Sequence, residues 1–175
     1  MSKDNQRELE PLRKALVQAA ELKGTFKLRS GTVSSTYFDK YRFEANPELL
    51  LRLTQAMVAL VPDDTEVVAG IELGGIPLVT ALSLQMGLPA SFVRKEAKTY
   101  GTCNLAEGVP VKGKRVLVVE DVVSTGGQVL ASIEALRQEG AQISHALCVF
   151  LRNEDAIGAF NAHNLTLPPL FVEAR

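Results

Sequence analysis

Apolar positions along the chain repeat with two periods. Leu9, Leu12, Leu16, Ala19, Ala20 and Leu22 recur at helical spacing between charged residues, which predicts a helix over 6–23 stopped by Gly24. Asn46-Pro47 starts a second helix, whose apolar face is Leu49, Leu50, Leu53, Met57, Leu60 and Val61 and which closes at Pro62-Asp63-Asp64. Helices are also predicted over Leu78–Met86, over Gly127–Glu139 ahead of Gly140, and over Asp155–Phe160. Between them lie short runs rich in β-branched residues near 66–71, 90–93, 115–119 and 143–150, each a buried strand. Leu165–Val172 reads as a last strand near an edge, since Pro168-Pro169 cannot donate to a ladder. Near the start, Phe26 and Leu28 alternate with Lys27 and Arg29, Ser30-Gly31 turns the chain, and Tyr37-Phe38-Asp39 resumes an extended run. Alternating strands and helices predict an α/β fold over 1–175 as a single domain. A mainly parallel twisted sheet is flanked by helices. The hairpin over about 24–40 is either an ordinary one with basic side chains facing water or a small flap that presents Arg29 and an aromatic ring to a planar anion.

Composition narrows the class. With 46% hydrophobic and 22% charged residues, 175 residues make a folded domain with a real core. A net charge of −1 gives no general attraction to nucleic acid. Cys103 and Cys148 lie far apart and make no metal-like pair, and the N-terminus is polar. No apolar run is long enough to span a bilayer, so a reduced, cytoplasmic protein without membrane or nucleic-acid partners is expected.

The densest chemistry follows the apolar run Val116–Val119. Glu120 and Asp121 come first, then Val122, Val123, Ser124, Thr125, Gly126, Gly127 and Gln128 lead into a helix. Glycines admit a ligand close to the backbone, and free N–H groups at a helix start point at an anion, which suits phosphate. The acids would repel phosphate, so they need another task, such as holding ribose hydroxyls or tolerating a nearby Mg²⁺. The combination suggests a sugar phosphate with free hydroxyls. No Gly-Lys-Ser/Thr follows the glycines and no Gly-x-Gly-x-x-Gly opens the helix, so nucleotide-binding fingerprints do not fit.

Three further stretches are candidates. The turn Glu72-Leu73-Gly74-Gly75-Ile76-Pro77 either cradles a second anion or serves only tight strand–helix packing. Arg94, Lys95 and Lys98 put three cations in five residues at a strand end, ahead of an aperiodic stretch; composition alone would make about 94–113 a solvated basic loop, and its place at the ligand edge favours a mobile lid loop instead. Arg152 lies at the end of a strand, either as a ligand contact or as a surface pair. His145 and Cys148 receive no role.

These motifs resemble one family. Residues 115–131 resemble the phosphoribosyl-diphosphate (PRPP) loop of type I phosphoribosyltransferases. Phe26, Leu28, Ser30, Gly31, Ser34, Tyr37 and Phe38 look like the N-terminal hood of orotate phosphoribosyltransferases, which implies that the hairpin is a small N-terminal β hood over the sheet's C-terminal edge. Arg94, Lys95, Lys98, Tyr100 and Gly101 are similar to that family's catalytic loop, with Tyr100 where the family has His. The resemblance implies Mg²⁺-dependent transfer of phosphoribose from PRPP to orotate, giving orotidine 5′-phosphate and diphosphate in UMP biosynthesis. It implies catalytic roles for Lys98, Glu120 and Asp121. PRPP would also meet Arg94, Lys95, Tyr100, the turn Val122 to Gln128, Gly74 and Gly75. Orotate would meet Arg29, Tyr37, Phe38, Ser124 and Arg152. Mg²⁺ would be held mainly by PRPP, with no protein ligand assigned. A homodimer would share its loop, Lys95 serving its own subunit while Arg94, Lys98 and Tyr100 reach across. Two departures stand out: many members carry Lys where this chain has Gly74, and Tyr100 brings no positive charge near neutral pH. The alternatives are a phosphoribosyltransferase for another base, against which the hood argues, and a PRPP-sensing regulatory protein, against which the intact lysine loop argues.

Overall fold

The computed structural model describes residues 3–27, 31–95 and 105–173. The chain divides into two compact units, Met1–Leu53 and Thr54–Arg175.

The first unit holds α1 (Lys3–Ala20), β1 (Glu21–Lys27), β2 (Val33–Phe38), α2 (Tyr41–Glu44) and most of α3 (Pro47–Val58). Leu12, Leu16 and Ala20 are buried along one stripe of α1, at the spacing that predicts the helix. The helix stops earlier than its apolar period. Glu21, Leu22 and Lys23 pair instead with Phe38, Tyr37 and Thr36 of the antiparallel β2, and the register shifts between Lys23 and Phe26, around Gly24. Cross-strand hydrogen bonds outweigh helical spacing at these residues, and Gly24 serves a bulge rather than a helix end. The helix start at Asn46-Pro47 is as predicted: the Asn46 Oδ1 accepts from the N–H groups of Glu48 and Leu49, each at 3.1 Å.

The second unit is built on a six-stranded sheet. Its strands are β3 (Val67–Ile71), β4 (Ala90–Val93), β5 (Ala106–Gly108), β6 (Arg115–Val123), β7 (Gln142–Leu151) and β8 (Pro169–Val172), in the order β5-β4-β3-β6-β7-β8. All neighbours are parallel except β4 and β5. The helices are α4 (Gly75–Met86), α5 (Gly127–Gln138) and α6 (Asp155–Ala162). Strand alternation sorts the faces. Val67, Ala69, Val116, Val118, Ala146 and Cys148 pack with Val129, Ile133 and Leu136 of α5 and Phe160 of α6. On the other face, Gly70 lies against Val79 of α4. The mainly parallel sheet with helices on both faces is thus the predicted one, and β8 is an edge strand as expected.

Two sequence expectations change. The strand expected over 115–119 runs on to Val123, so Glu120 and Asp121 lie inside β6 rather than after it. Pairing with β7 continues through Glu120↔Cys148 and Val123↔Leu151, and this neighbour carries the strand past the apolar run. The stretch predicted as a mobile loop over 94–113 contains β5, in which Glu107 pairs with Phe92, and Leu105 and Val111 are buried. Residues 96–104 of that stretch, which include Lys98, Tyr100, Gly101 and Cys103, lie outside the described residues, as does Arg29.

Candidate active site

Because β3, β4, β6 and β7 run parallel, their C-terminal ends share one edge of the sheet. Gly70 is level with Val119, Ile71 with Val93, and Val123 with Leu151. The second unit therefore gathers at this edge the Glu72–Gly75 turn, Arg94 and Lys95, Glu120 and Asp121, the turn Ser124 to Gln128, and Arg152. Ligands in open α/β sheets bind outside such an edge.

The β6 end carries the acids. Asp121 is fully buried, and its Oδ1 accepts the Val122 N–H at 2.5 Å. Glu120 is half-buried and, by alternation, points to the opposite face, level with Cys148. Burial pushes the Cys148 thiol well above its usual range, and the charges of Glu120 and then Asp121 push it further. A neutral thiol in this position is an inert packing group, not a nucleophile.

Beyond the acids, Ser124 and Thr125 are exposed, and Gly126 adopts φ 79° and ψ −3°, a left-handed conformation. A Cβ at Gly126 would lie 2.4 Å from the Phe160 ring, whereas one at Gly127 would meet nothing within 4 Å. No side chain caps the start of α5. Its first N–H groups, beside two hydroxyls and an open glycine, form the kind of end that binds phosphate.

The β3–α4 turn differs. A Cβ at Gly75 would lie 2.5 Å from the Val119 carbonyl oxygen, and one at Gly70 would lie 2.3 Å from the Gly75 carbonyl oxygen. These glycines let one backbone rest on another. Gly74 is buried beside them as the N-cap of α4. Packing thus accounts for Gly75, one of the two roles that sequence left open.

The described root of the cationic stretch is held on both sides. The Arg94 N–H donates to the Leu105 carbonyl at 2.9 Å, and the Arg94 Nε lies 3.5 Å from the Glu107 Oε1. The Lys95 N–H donates to the Glu72 carboxylate at 2.8 Å. Sequence reasoning missed Glu72, because nothing local marks an acid as the partner of a backbone group 23 residues away. At the end of β7, the Arg152 N–H donates to the Val123 carbonyl at 2.8 Å, and its Nε pairs with the Glu173 Oε2 at 3.1 Å.

In the first unit, Tyr37 and Phe38 point to opposite faces of β2. The Tyr37 ring packs on Phe26 with centroids 5.5 Å apart, and the Phe38 ring faces Phe43 at 6.3 Å. The two rings expected to meet one ligand together do not share a face.

Among the described residues no cluster of three or more His, Cys, Asp or Glu side chains could hold a metal ion alone. The pair Glu120 and Asp121 offers hard oxygen donors of the kind Mg²⁺ takes. On opposite faces of β6 they make no cage, so an ion here would have to bring most of its oxygen ligands with it. Among the same residues, no helix is long and apolar enough to cross a membrane.

Comparison with known proteins adds a family. The phosphoribosyl transferase domain matches residues 42–159. An orotate phosphoribosyltransferase from Nocardioides sp. is 52% identical over 132 residues, covering 75% of this chain and 74% of that protein. One from Methanopyrus kandleri is 40% identical over 159 residues, covering 90% and 86%. Among solved structures, Mycobacterium tuberculosis orotate phosphoribosyltransferase in complex with inorganic phosphate superposes with a TM-score of 0.82 at 28% identity, covering 97% of this chain and 96% of that one. The same enzyme in complex with PRPP gives 0.77 at 29% identity, covering 96% of each.

Proposed function

The chain belongs to the orotate phosphoribosyltransferases, pentosyltransferases of the phosphoribosyl transferase domain family, and from that premise we propose how its residues divide the work. The reaction moves phosphoribose from PRPP to orotate, releasing diphosphate in pyrimidine biosynthesis. The observation that carries the assignment of roles is the end of β6, where a half-buried Glu120 and a buried Asp121 lead into an uncapped helix start with an open glycine.

At that end Ser124, Thr125 and the N–H groups through Gln128 bind the 5′-phosphate, with Val122 and Val123 shaping the entry. Glu120 and Asp121 hold the ribose hydroxyls. Their negative charge favours the positive charge that develops on the ribosyl ring as the bond to diphosphate lengthens. Burial and the bond from the Val122 N–H keep the Asp121 carboxylate in place. The backbone at Gly74 and Gly75, with Lys95, receives the diphosphate. Glu120 and Asp121 would offer hard oxygen donors toward a Mg²⁺ ion arriving with PRPP, and that ion would lower the charge of the leaving group.

Arg94, Lys98 and Tyr100 are proposed to reach the site of a partner subunit in a homodimer, Lys98 acting at the leaving group. Arg94 would exchange its pairing with Glu107 to do so. Arg29, Tyr37, Ser124 and Arg152 are proposed to orient orotate, Arg152 by exchanging Glu173 for the substrate carboxylate. Phe38, whose ring is taken up by Phe43, anchors the hairpin instead of touching the base. A cytoplasmic location suits a reaction whose phosphorylated substrates do not cross membranes unaided.

The test follows orotate by its ultraviolet absorbance, with PRPP and Mg²⁺ each omitted in turn. Loss of orotate is expected only with all components present. Activity without added divalent ion, after chelation, would remove Mg²⁺ from the scheme. Mixing Lys98→Ala with Asp121→Asn subunits should then restore activity through hybrid dimers. Silence after verified subunit exchange would mean that each subunit uses its own loop.

A further inference from the structure

The cationic end of β4 has an unusual backbone problem. Regular pairing between β3 and β4 ends at Ile71↔Val93, because the chain after Ile71 turns into α4. The Glu72 N–H still reaches the Val93 carbonyl at 2.8 Å, but the next rung of the ladder, from the Lys95 N–H to the Glu72 main-chain carbonyl, is not made. The Glu72 side chain supplies the missing acceptor at 2.8 Å. One residue therefore bridges the two strand ends twice, through its main chain and through its carboxylate. From the other side β5 holds Arg94, through the Leu105 carbonyl and Glu107. An acid beside a site for diphosphate would oppose that anion, and here the carboxylate is turned onto a backbone donor instead.

We propose that Glu72 is a positioning residue for phosphoribosyl transfer, fixing the Lys95 backbone against the glycine turn so that the ammonium and the turn's N–H groups converge on one diphosphate. The proposal deepens the reading given above and rests on Lys95 being a PRPP contact. Glu72 itself need not touch substrate. Its effect passes through Lys95, and this separates it from a merely stabilising acid.

The experiment is a double-mutant cycle in the full-length enzyme, with KM for PRPP, KM for orotate, kcat and thermal melting measured for each variant. Glu72→Ala is expected to raise KM for PRPP about tenfold, in line with a lost charge-assisted hydrogen bond, and to leave KM for orotate and the melting temperature unchanged. Glu72→Gln keeps an oxygen that accepts from the Lys95 N–H and should recover most of the loss. On a Lys95→Ala background, Glu72→Ala should add nothing. If it raises KM equally on both backgrounds, Glu72 does not act through Lys95 and the proposal fails, while the role of Lys95 stands. If Lys95→Ala leaves KM for PRPP unchanged, the lysine assignment fails and takes the proposal with it. Should Glu72→Ala not fold, the cycle is run with Glu72→Gln, expected to raise KM about two- to threefold on the parent background and not at all on Lys95→Ala.

Discussion

The β3–α4 and β6–α5 connections are made of the same parts, a buried parallel strand, glycines and a helix start, yet their glycines do opposite things. At β3–α4 the absent Cβ atoms of Gly70 and Gly75 let the turn lie on its own strand and on the Val119 carbonyl of the next one. At β6–α5, Gly126 supplies a left-handed turn under Phe160, and Gly127 faces open space. The first connection uses its missing side chains for packing and has only backbone N–H groups to offer an anion, whereas the second also leaves open space beside one glycine. A glycine-rich turn at a strand end is therefore not by itself a phosphate site. What distinguishes the two is whether the space beside the missing side chain is already filled.

Substitution should separate them. The largest effect is expected from Gly75→Ala, whose methyl would meet a backbone oxygen at 2.5 Å. A loss of about 2–4 kcal/mol in a urea melt follows from overpacking against an atom that cannot move aside. Gly127→Ala should stay within about 1 kcal/mol of the parent, its cost appearing instead as weaker PRPP binding. A Gly75→Ala protein that melts like the parent would erase the contrast.

Gly126→Ala comes next, combining positive φ with a methyl 2.4 Å from the Phe160 ring. About 2–3 kcal/mol should be lost, and adding Phe160→Leu should return part of it, since only the steric portion is relieved. Strict additivity of the two changes would show that the ring is not what the methyl strikes.

Smaller again are Ser124→Ala and Thr125→Ala, both at exposed hydroxyls. Each should raise KM for PRPP about three- to tenfold without moving the melting temperature, as expected for one lost hydrogen bond to a ligand. A fall in melting temperature instead would make the turn structural, like its counterpart.

The smallest effect lies at the far end of β3, away from both turns. The Arg115 N–H, and then Lys114, hold the Glu66 carboxyl below its ordinary value of 4.5. A depressed pKa means that the folded state prefers the charged form. The contribution is complete above the unfolded value and is lost as pH falls through the folded one. The stability difference between the parent and Glu66→Gln should therefore shrink below about pH 4.5. A difference that stays constant into acid would mean that the clamp does not depend on charge.

Much of this was legible along the chain. The unbroken run Val116–Val119 reads as a central strand because only a strand buried on both faces needs apolar residues at every position. Asn46-Pro47 reads as a helix start because capping is local chemistry. The acid pair, the hydroxyls and Gly126-Gly127 stand in order within one strand–turn–helix unit, so that part of the candidate site needed no distant information. Other features escaped for the opposite reason. The three-residue β5 has no period to detect and exists because β4 offers it an edge. Glu21 to Lys23 continue a helical pattern but are claimed by β2. Tyr37 and Phe38 are adjacent in sequence and divided by the pleat, one ring on Phe26 and the other on Phe43.

Local pattern was enough for most of the elements and their alternation, β5 and the end of α1 excepted, and hence for a parallel sheet whose strand ends carry the acids, cations and glycines to one edge. These follow from periodicity and local turn chemistry, which act over a few residues. The tertiary structure decided which glycines were already occupied, that Glu72 completes the ladder at Lys95, and that β6 extends through its acids. Each of these depends on register between residues far apart in the chain, set by the packing of whole strands and carried by no local pattern.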